Sequence, residues 1–212
     1  MEARYLTVGV AQENTWIVRS DGSETGLLID PGDEPERIQA ALDDLGVKTV
    51  EAILLTHTHF DHVGSVAPMA KATGAPVYCP KLEVPVLRDI NRYIFPGYGP
   101  FEPYDADETL EGGEQLTLAG LDIDVLFTPG HSPGHVTYSI PSEGVILSGD
   151  VLFQGSIGRT DLPGGDHQRL LQSIGELLER LPDETAVLPG HMAPTTLGAE
   201  RATNPFLHEL SA

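Results

Sequence analysis

The sequence predicts an α/β protein with two sheets and helices outside them. Three observations point there. Short apolar runs of strand type recur along the chain, helical patterns lie between them, and the runs cluster early and then return after a long stretch without regular pattern. A simple alternating parallel sheet would space its strands more evenly.

In chain order, the strand-type runs are 14–20 (NTWIVRS), 25–30 (TGLLID), 51–56 (EAILLT), 75–79 (APVYC), 121–128 (LDIDVLFT), 135–140 (HVTYSI), 144–149 (GVILSG) and 185–189 (TAVLP). Residues 34–45 read as a helix, with Asp33 as N-cap and Ile38, Ala41, Leu42 and Leu45 on one face. A second helix is expected over 62–73, ended by Gly74. The strongest pattern places Leu170, Leu171, Ile174, Leu177, Leu178 and Leu181 at helical spacing, stopped by Pro182. A last helix follows Thr196 and breaks or ends near Pro205. Residues 80–112, rich in Pro, Gly and Tyr, read as a long irregular loop over a site. No shift in composition marks a boundary, so 1–212 is expected to be one domain.

Twelve basic residues against 32 acidic ones give a net charge of −20, which argues against a nucleic-acid partner and favours attraction of cations. No apolar run is long enough to span a bilayer, and the first residues lack the apolar segment of a signal peptide, so a cytoplasmic protein without a membrane partner is expected. The single cysteine, Cys79, excludes an internal disulfide and reads as a small apolar strand residue. Trp16 reads as core. The oligomeric state is not legible.

Chemistry concentrates in ILLTHTHFDHVG, residues 53–64, where three histidines and an aspartate follow an apolar run. His57 and His59 are two apart in an extended segment, so their side chains point the same way and can share one ion. Asp61 and His62, beyond a turn at Phe60, face a different point. Imidazole and carboxylate together suit zinc, iron or manganese rather than calcium. Three further candidates each follow an apolar run: His131 in FTPGHSPGH, Asp150 at the end of ILSGD and His191 at the end of AVLPGH. Loops at strand ends are where a rigid scaffold presents functional groups.

THTHFDH, PGHSPGH, SGD and LPGH, in that order between residues 56 and 191, resemble the motif series of the metallo-β-lactamase fold superfamily. The resemblance implies a four-layer αβ/βα sandwich of two mixed sheets flanked by helices, with two divalent metal ions at one edge. It implies His57, His59 and His131 on one ion, Asp61, His62 and His191 on the other, and Asp150 between them. Asp30, in LLIDPG, matches a position that supports the ligand loop from behind. Residues 149–168 and 195–207 are most similar to the short bacterial branch of the glyoxalase II (hydroxyacylglutathione hydrolase) family. The longer members carry a C-terminal helical domain, which this chain is expected to lack, and a lysine where Arg159 falls. β-Lactamases of this fold usually have a cysteine or another residue at the Asp150 position.

The implied activity is metal-dependent hydrolysis of a thioester such as S-D-lactoylglutathione. Zinc is the first expectation, with iron or manganese as alternatives. Two ions about 3.5–4 Å apart would hold a bridging hydroxide that attacks the thioester carbonyl. Asp61 and Asp150 are expected to act in catalysis as ligands first and proton carriers second. Arg159 is a candidate partner for a substrate carboxylate, the alternative being an internal pair with Asp161 or Asp166. Tyr93 and Tyr98, with Tyr104, are candidates to line a substrate groove. His135 reads as a support behind the ligands, and His167 and His208 as surface or capping residues. The competing readings are a mononuclear-iron persulfide dioxygenase using His57, His131 and Asp150, a lactone or other ester hydrolase, and a non-catalytic metal-binding module.

Overall fold

The computed structural model describes residues 1–211. A first sheet opens as an antiparallel meander of β1 (Glu2–Val8), β2 (Glu13–Arg19) and β3 (Thr25–Ile29). It continues in parallel through β4 (Thr49–Leu54), β5 (Val77–Pro80) and β6 (Glu108–Leu110). Parallel neighbours need crossovers, and helices supply them. α1 (Pro35–Asp44) joins β3 to β4, α2 (Phe60–Val63) and α3 (Val66–Thr73) join β4 to β5, and α4 (Val84–Arg88) lies between β5 and β6.

The second sheet is also six-stranded. β7 (Gln115–Leu118), β8 (Leu121–Phe127), β9 (Val136–Ile140) and β10 (Val145–Gly149) run antiparallel in sequence order. A small hairpin of β11 (Leu152–Phe153) and β12 (Ser156–Ile157) follows. α5 (His167–Arg180) then crosses over to β13 (Ala186–Pro189), which pairs parallel with β10, and β14 (Thr195–Thr196) closes the edge before α6 (Leu197–Thr203).

Strand parity sorts the core into three apolar layers. Ile17, Leu28 and Ile53 face outward from the first sheet onto Ile38, Leu42, Val66 and Met69 of the flanking helices. Their neighbours Trp16, Val18, Leu27, Ile29 and Leu54 face inward, against Ile123, Val125, Tyr138, Leu147 and Leu188 of the second sheet. On the far side Leu126, Ile146 and Val187 meet Leu170, Ile174 and Leu177 of α5. Helix, sheet, sheet, helix is the four-layer order the motif series implied.

All eight expected strands form, with ends shifted by two residues or fewer. β1 and β7 had no signal because both are edge strands, β1 largely exposed and β7 alternating, so neither carries an apolar run. Several boundaries need correction. The expected 62–73 helix is two pieces, α2 and α3, interrupted at Gly64 and Ser65. A side chain at Gly64 would lie 2.4 Å from the Gly32 carbonyl, so the chain turns there to bring the β3 loop close. Asp33 does not cap α1; Glu34 holds the cap position in left-handed backbone, and Asp33 accepts the Glu34 N–H. Residues 80–112 are less irregular than expected: α4, a short 3-10 turn at Ile90–Arg92 and β6 all fall there, leaving 93–107 without regular structure. The strongest helix starts earlier than its leucines, at His167, because Asp166 caps it by accepting the Arg169 N–H at 3.0 Å. No helix among the described residues is long and apolar enough to cross a membrane.

Ile174 is fully buried where α5 meets the second sheet. Ile174→Ala should therefore cost about 2–5 kcal/mol of stability in denaturant unfolding, while leaving metal uptake by the folded protein unchanged.

Candidate metal centre

The first ligand segment is set by the end of β4. Asp30, at φ +48° just past β3, is buried and turns its carboxylate towards that end. Asp30 Oδ1 accepts the Thr56 N–H at 2.7 Å and Oδ2 accepts the Thr56 hydroxyl at 2.6 Å. The chain stays extended to His59, then enters α2 at Phe60. His57 and His59 converge as the two-residue spacing requires, with His57 Nε2 3.1 Å from His59 Nδ1. The helical turn aims Asp61 and His62 elsewhere: Asp61 Oδ2 lies 3.3 Å from His191 Nε2, and His62 Nε2 lies 3.3 Å from Asp150 Oδ1.

The second sheet delivers the remaining groups to the same edge. β10 and β13 are parallel neighbours with Gly149 opposite Pro189, so Asp150 and His191 leave them side by side. Gly149, at φ +48°, has no room for a side chain, because a Cβ would sit 2.4 Å from Thr56 Oγ1. His131 lies in the β8–β9 loop, which α5 grips: Gly130 O accepts the Asp166 N–H, and Pro129 O accepts the Ser173 hydroxyl. His131 Nε2 comes within 2.7 Å of His59 Nδ1 and 3.2 Å of His57 Nε2. Asp150 stands between the groups, with Oδ2 3.4 Å from His131 Nε2 and 3.6 Å from His191 Nε2.

Four of the five histidines have the far nitrogen committed to an acceptor. His57 Nδ1–H donates to Thr56 Oγ1 at 3.0 Å, whose own proton goes to Asp30. His62 Nδ1–H donates to Asp30 at 3.1 Å, His131 Nδ1–H to the Arg159 carbonyl at 2.8 Å, and His191 Nδ1–H to the Gln12 carbonyl at 3.2 Å. Each of these rings therefore turns Nε2 inward. Such fixing of tautomer and orientation is what a metal ligand requires. Tetrahedral ligands of an ion with bonds of about 2.0–2.1 Å are separated by about 3.3–3.4 Å; His57 stands 3.1 and 3.2 Å from His59 and His131, and those two are closer at 2.7 Å. His62 Nε2 and Asp150 Oδ1 are buried without a hydrogen-bond partner, the condition a cation between them would relieve. His57, His59 and His131 form one group able to hold an ion, and Asp61, His62 and His191 another. Asp30, His57 and His62 also come together, but through nitrogens and oxygens already engaged in the hydrogen bonds above.

The electrostatics divide the same way. Burial, reinforced by neighbouring imidazoles, holds His57 well below its ordinary value and brings His59 down to about 4, so both are neutral and able to donate a lone pair to a cation. Burial opposes charge on His62 too, but Asp150 and Asp30 outweigh it and raise His62 well above 6.5. His191 is raised against its burial by Asp150 and Asp61. Burial likewise opposes charge on both carboxylates, yet Asp150 is held low by His62, His191 and His131, and Asp61 by His191 and His62. Protons on His62 and His191 thus sit where positive charge is favoured.

The supporting residues are partly those expected. His135 is buried and stacked on His57 at 4.9 Å, and its Nε2 accepts the Asp150 N–H at 3.1 Å. Arg159 lines the cleft, but Nε and Nη2 each donate to Asp161 at 2.7 Å, the internal pair the sequence left open. Tyr93 and Tyr98 line a cavity of about 960 Å³ above Asp61, Asp150 and His191. Tyr104 is turned away, donating to Asp107 at 3.0 Å. His167 and His208 are exposed outside the site, and Cys79 is buried among apolar side chains.

Three residues were missed. Glu83 is buried and accepts from Thr58, Ser132 and the Gly134 N–H, tying the two ligand loops together. Asn14 donates through Nδ2 to the Pro189 and Met192 carbonyls on either side of His191. Glu13 is buried behind His62, at 3.8 Å, and burial foremost raises its carboxyl well above the ordinary range. Only the buried surroundings mark these residues, and no local motif does.

Comparison with known proteins shows the family and the fold. The family description "Metallo-beta-lactamase superfamily" matches residues 8–191. The chain is 40% identical over 216 residues to the "Probable metallo-hydrolase YqgX" of Bacillus subtilis (strain 168), covering 100% of both. It is 34% identical over 217 residues to the "Hydroxyacylglutathione hydrolase GloC" of Haemophilus influenzae, again covering 100% of both. Among solved structures it superposes on BLEG-1 B3 metallo-beta-lactamase with a TM-score of 0.91 at 39% identity, covering 97% of this chain and 99% of that one. TTHA1623 in a di-iron-bound form gives 0.81 at 44% identity, with 96% and 100% covered.

Two outcomes follow from this geometry. Loading a divalent ion into metal-free protein at pH 7 should release protons, because His62 is raised and must shed its Nε2 proton to ligate. The release should shrink as pH rises through the raised value, which calorimetry in buffers of different ionisation heat reads directly; uptake without release at pH 7 would remove His62 from the ligand set. Asp30→Ala, which frees His62 Nδ1 and Thr56, should weaken metal affinity about 10–100-fold in chelator competition.

Proposed function

The chain belongs to the metallo-β-lactamase superfamily, and on that premise we propose that it is a metal-dependent thioester hydrolase acting on acyl conjugates of a low-molecular-weight thiol such as S-D-lactoylglutathione. The observation that carries the reading is the set of five imidazoles and two carboxylates converging at one sheet edge under a single cleft. The full-length similarity to a hydroxyacylglutathione hydrolase supports the thioester as substrate.

We assign His57, His59 and His131 to one ion, Asp61, His62 and His191 to a second, and Asp150 to both. Zinc is proposed first; the same His and Asp donors accept iron or manganese. Divalent ions held there supply Lewis acidity and lower the pKa of water. The protein's part is to keep the donors aimed. Asp30, Thr56, the Arg159 carbonyl and the Gln12 carbonyl each engage a far nitrogen, so that Nε2 is the nitrogen turned inward. His135 holds Asp150 through its backbone N–H. Asp61, partly open to the cleft, is assigned as the acceptor of a proton released during turnover.

The leaving group favours a thioester. A thiol has an ordinary pKa of about 8.5, so the thiolate departs without an acid. An amide or β-lactam nitrogen needs protonation or metal stabilisation before it leaves, so a thioester makes the smaller demand on the site. The similarity to a B3 metallo-beta-lactamase nevertheless makes β-lactam hydrolysis the reading to test beside it. We further propose a cytoplasmic setting, in keeping with one unpaired, buried cysteine.

The purified protein should hydrolyse S-D-lactoylglutathione, lose the activity on stripping by chelator and regain it when metal is restored. Asp150→Ala should abolish both turnover and the paired metal content, since Asp150 faces His62, His131 and His191 at once. Turnover of a chromogenic cephalosporin in preference to the thioester, or oxygen consumption with a glutathione persulfide, would replace the thioester reading.

A further inference from the structure

Two arginines line the cleft, and they differ in one respect. The fork of Arg159 already holds the Asp161 carboxylate through two 2.7 Å bonds. Arg92 is exposed, and its guanidinium has no ion pair or hydrogen bond among the described residues. The protein has only 12 basic residues against 32 acidic ones. Of the two arginines that line the cleft, Arg92 is therefore the one with no internal carboxylate partner among the described residues.

Its backbone is also held in place. The Arg92 N–H donates to the Asp89 carbonyl at 3.0 Å in a 3-10 turn. The preceding residue, Asn91, closes a loop at its base: Asn91 Nδ2 donates to the Phe101 carbonyl and Asn91 Oδ1 accepts the Phe101 N–H, both at 2.8 Å. The loop between them lays Phe95 and Tyr98 on Phe60, with ring centroids 5.8 and 4.6 Å apart. Phe60 lies between His59 and Asp61 in the chain. The 91–101 loop is thus fastened at its base by Asn91 and at its tip by the ligand segment itself. Arg92 leaves that loop beside Tyr93, on the same cleft wall. The charged side chains lining the cleft with it are accounted for. Glu83 is saturated by three donors, Asp61 and Asp150 face histidines, and Arg159 is paired.

We propose that Arg92 is the specificity-determining residue of the cleft and binds a carboxylate on the thiol carrier of the substrate, so that the preferred substrates are thioesters of a carboxylate-bearing thiol lying under the 91–101 loop. The proposal rests on the thioester reading above and makes it narrower. A guanidinium offers paired N–H donors that match a carboxylate, and an unpaired one has no internal partner to displace. The field of a −20 protein disfavours an anion elsewhere on its surface, which makes a local cation in the cleft decisive for its approach.

The test separates binding from turnover. Metal-loaded protein is titrated by calorimetry with S-methylglutathione, a thioether that cannot be hydrolysed, and with S-methyl-N-acetylcysteamine, its uncharged counterpart. Arg92→Ala should weaken S-methylglutathione binding about ten-fold or more and leave the uncharged thioether unaffected. Arg92→Lys should restore part of the loss. Arg180→Ala, which removes the same charge from the exposed end of α5, should stay within about two-fold of the parent because distant surface charge is screened by salt. Equal binding of S-methylglutathione by Arg92→Ala and the parent, equal weakening of both thioethers, or no binding by the parent would each overturn the assignment. Arg92-dependent binding without hydrolysis of S-D-lactoylglutathione would instead retain the carboxylate site and reject the thioesterase reading.

Discussion

The buried carboxylate of Asp30 is the interaction on which the rest of the centre depends. It takes the backbone and hydroxyl protons of Thr56 and the Nδ1 proton of His62. Through Thr56 it also sets the ring of His57. One side chain thereby fixes histidines from both halves of the centre. A buried charge without such partners would cost several kcal/mol, so the three donors and the left-handed backbone at Asp30 have to occur together.

That hub works only because the two sheets are locked at the same edge. The Val136 N–H donates to the Thr56 carbonyl at 2.9 Å, and the Tyr138 hydroxyl donates to the Leu55 carbonyl at 2.6 Å. On the other flank Trp16 Nε1 donates to the Pro189 carbonyl at 3.0 Å. These bonds join the end of β4 to β9 and the middle of β2 to the end of β13. The apolar layer between the sheets supplies the attraction, and the polar contacts at its margin set the registration. A shift of one residue between the sheets would separate His131 and Asp150 from His57 and His62.

Much of this was legible in the chain. The apolar layers follow from strand parity at Trp16/Ile17, Leu27/Leu28 and Leu147/Ile146, which any folded version of these strands must respect. The convergence of His57 with His59 follows from their spacing in an extended segment. Other features were not legible for definite reasons. β1 and β7 lie at sheet edges, where exposure removes the apolar run that marks a strand. Arg159 left two readings open, because a guanidinium near Asp161 and near a cleft looks the same in sequence whichever it serves. The supporting role of its carbonyl, which accepts from His131, has no side-chain signature at all.

The sequence by itself therefore determined which groups can coordinate an ion, which strands carry them and which faces of those strands are buried, since spacing and hydrophobic period are local properties. Only the tertiary structure decided which nitrogen of each histidine faces inward, that Glu83, Asn14 and Glu13 stand behind the histidine cluster, and which cleft arginine is left uncommitted. Those outcomes depend on contacts between residues far apart in the chain, such as Asn14 with Met192 and Glu83 with Ser132, and no local pattern encodes the distance between them.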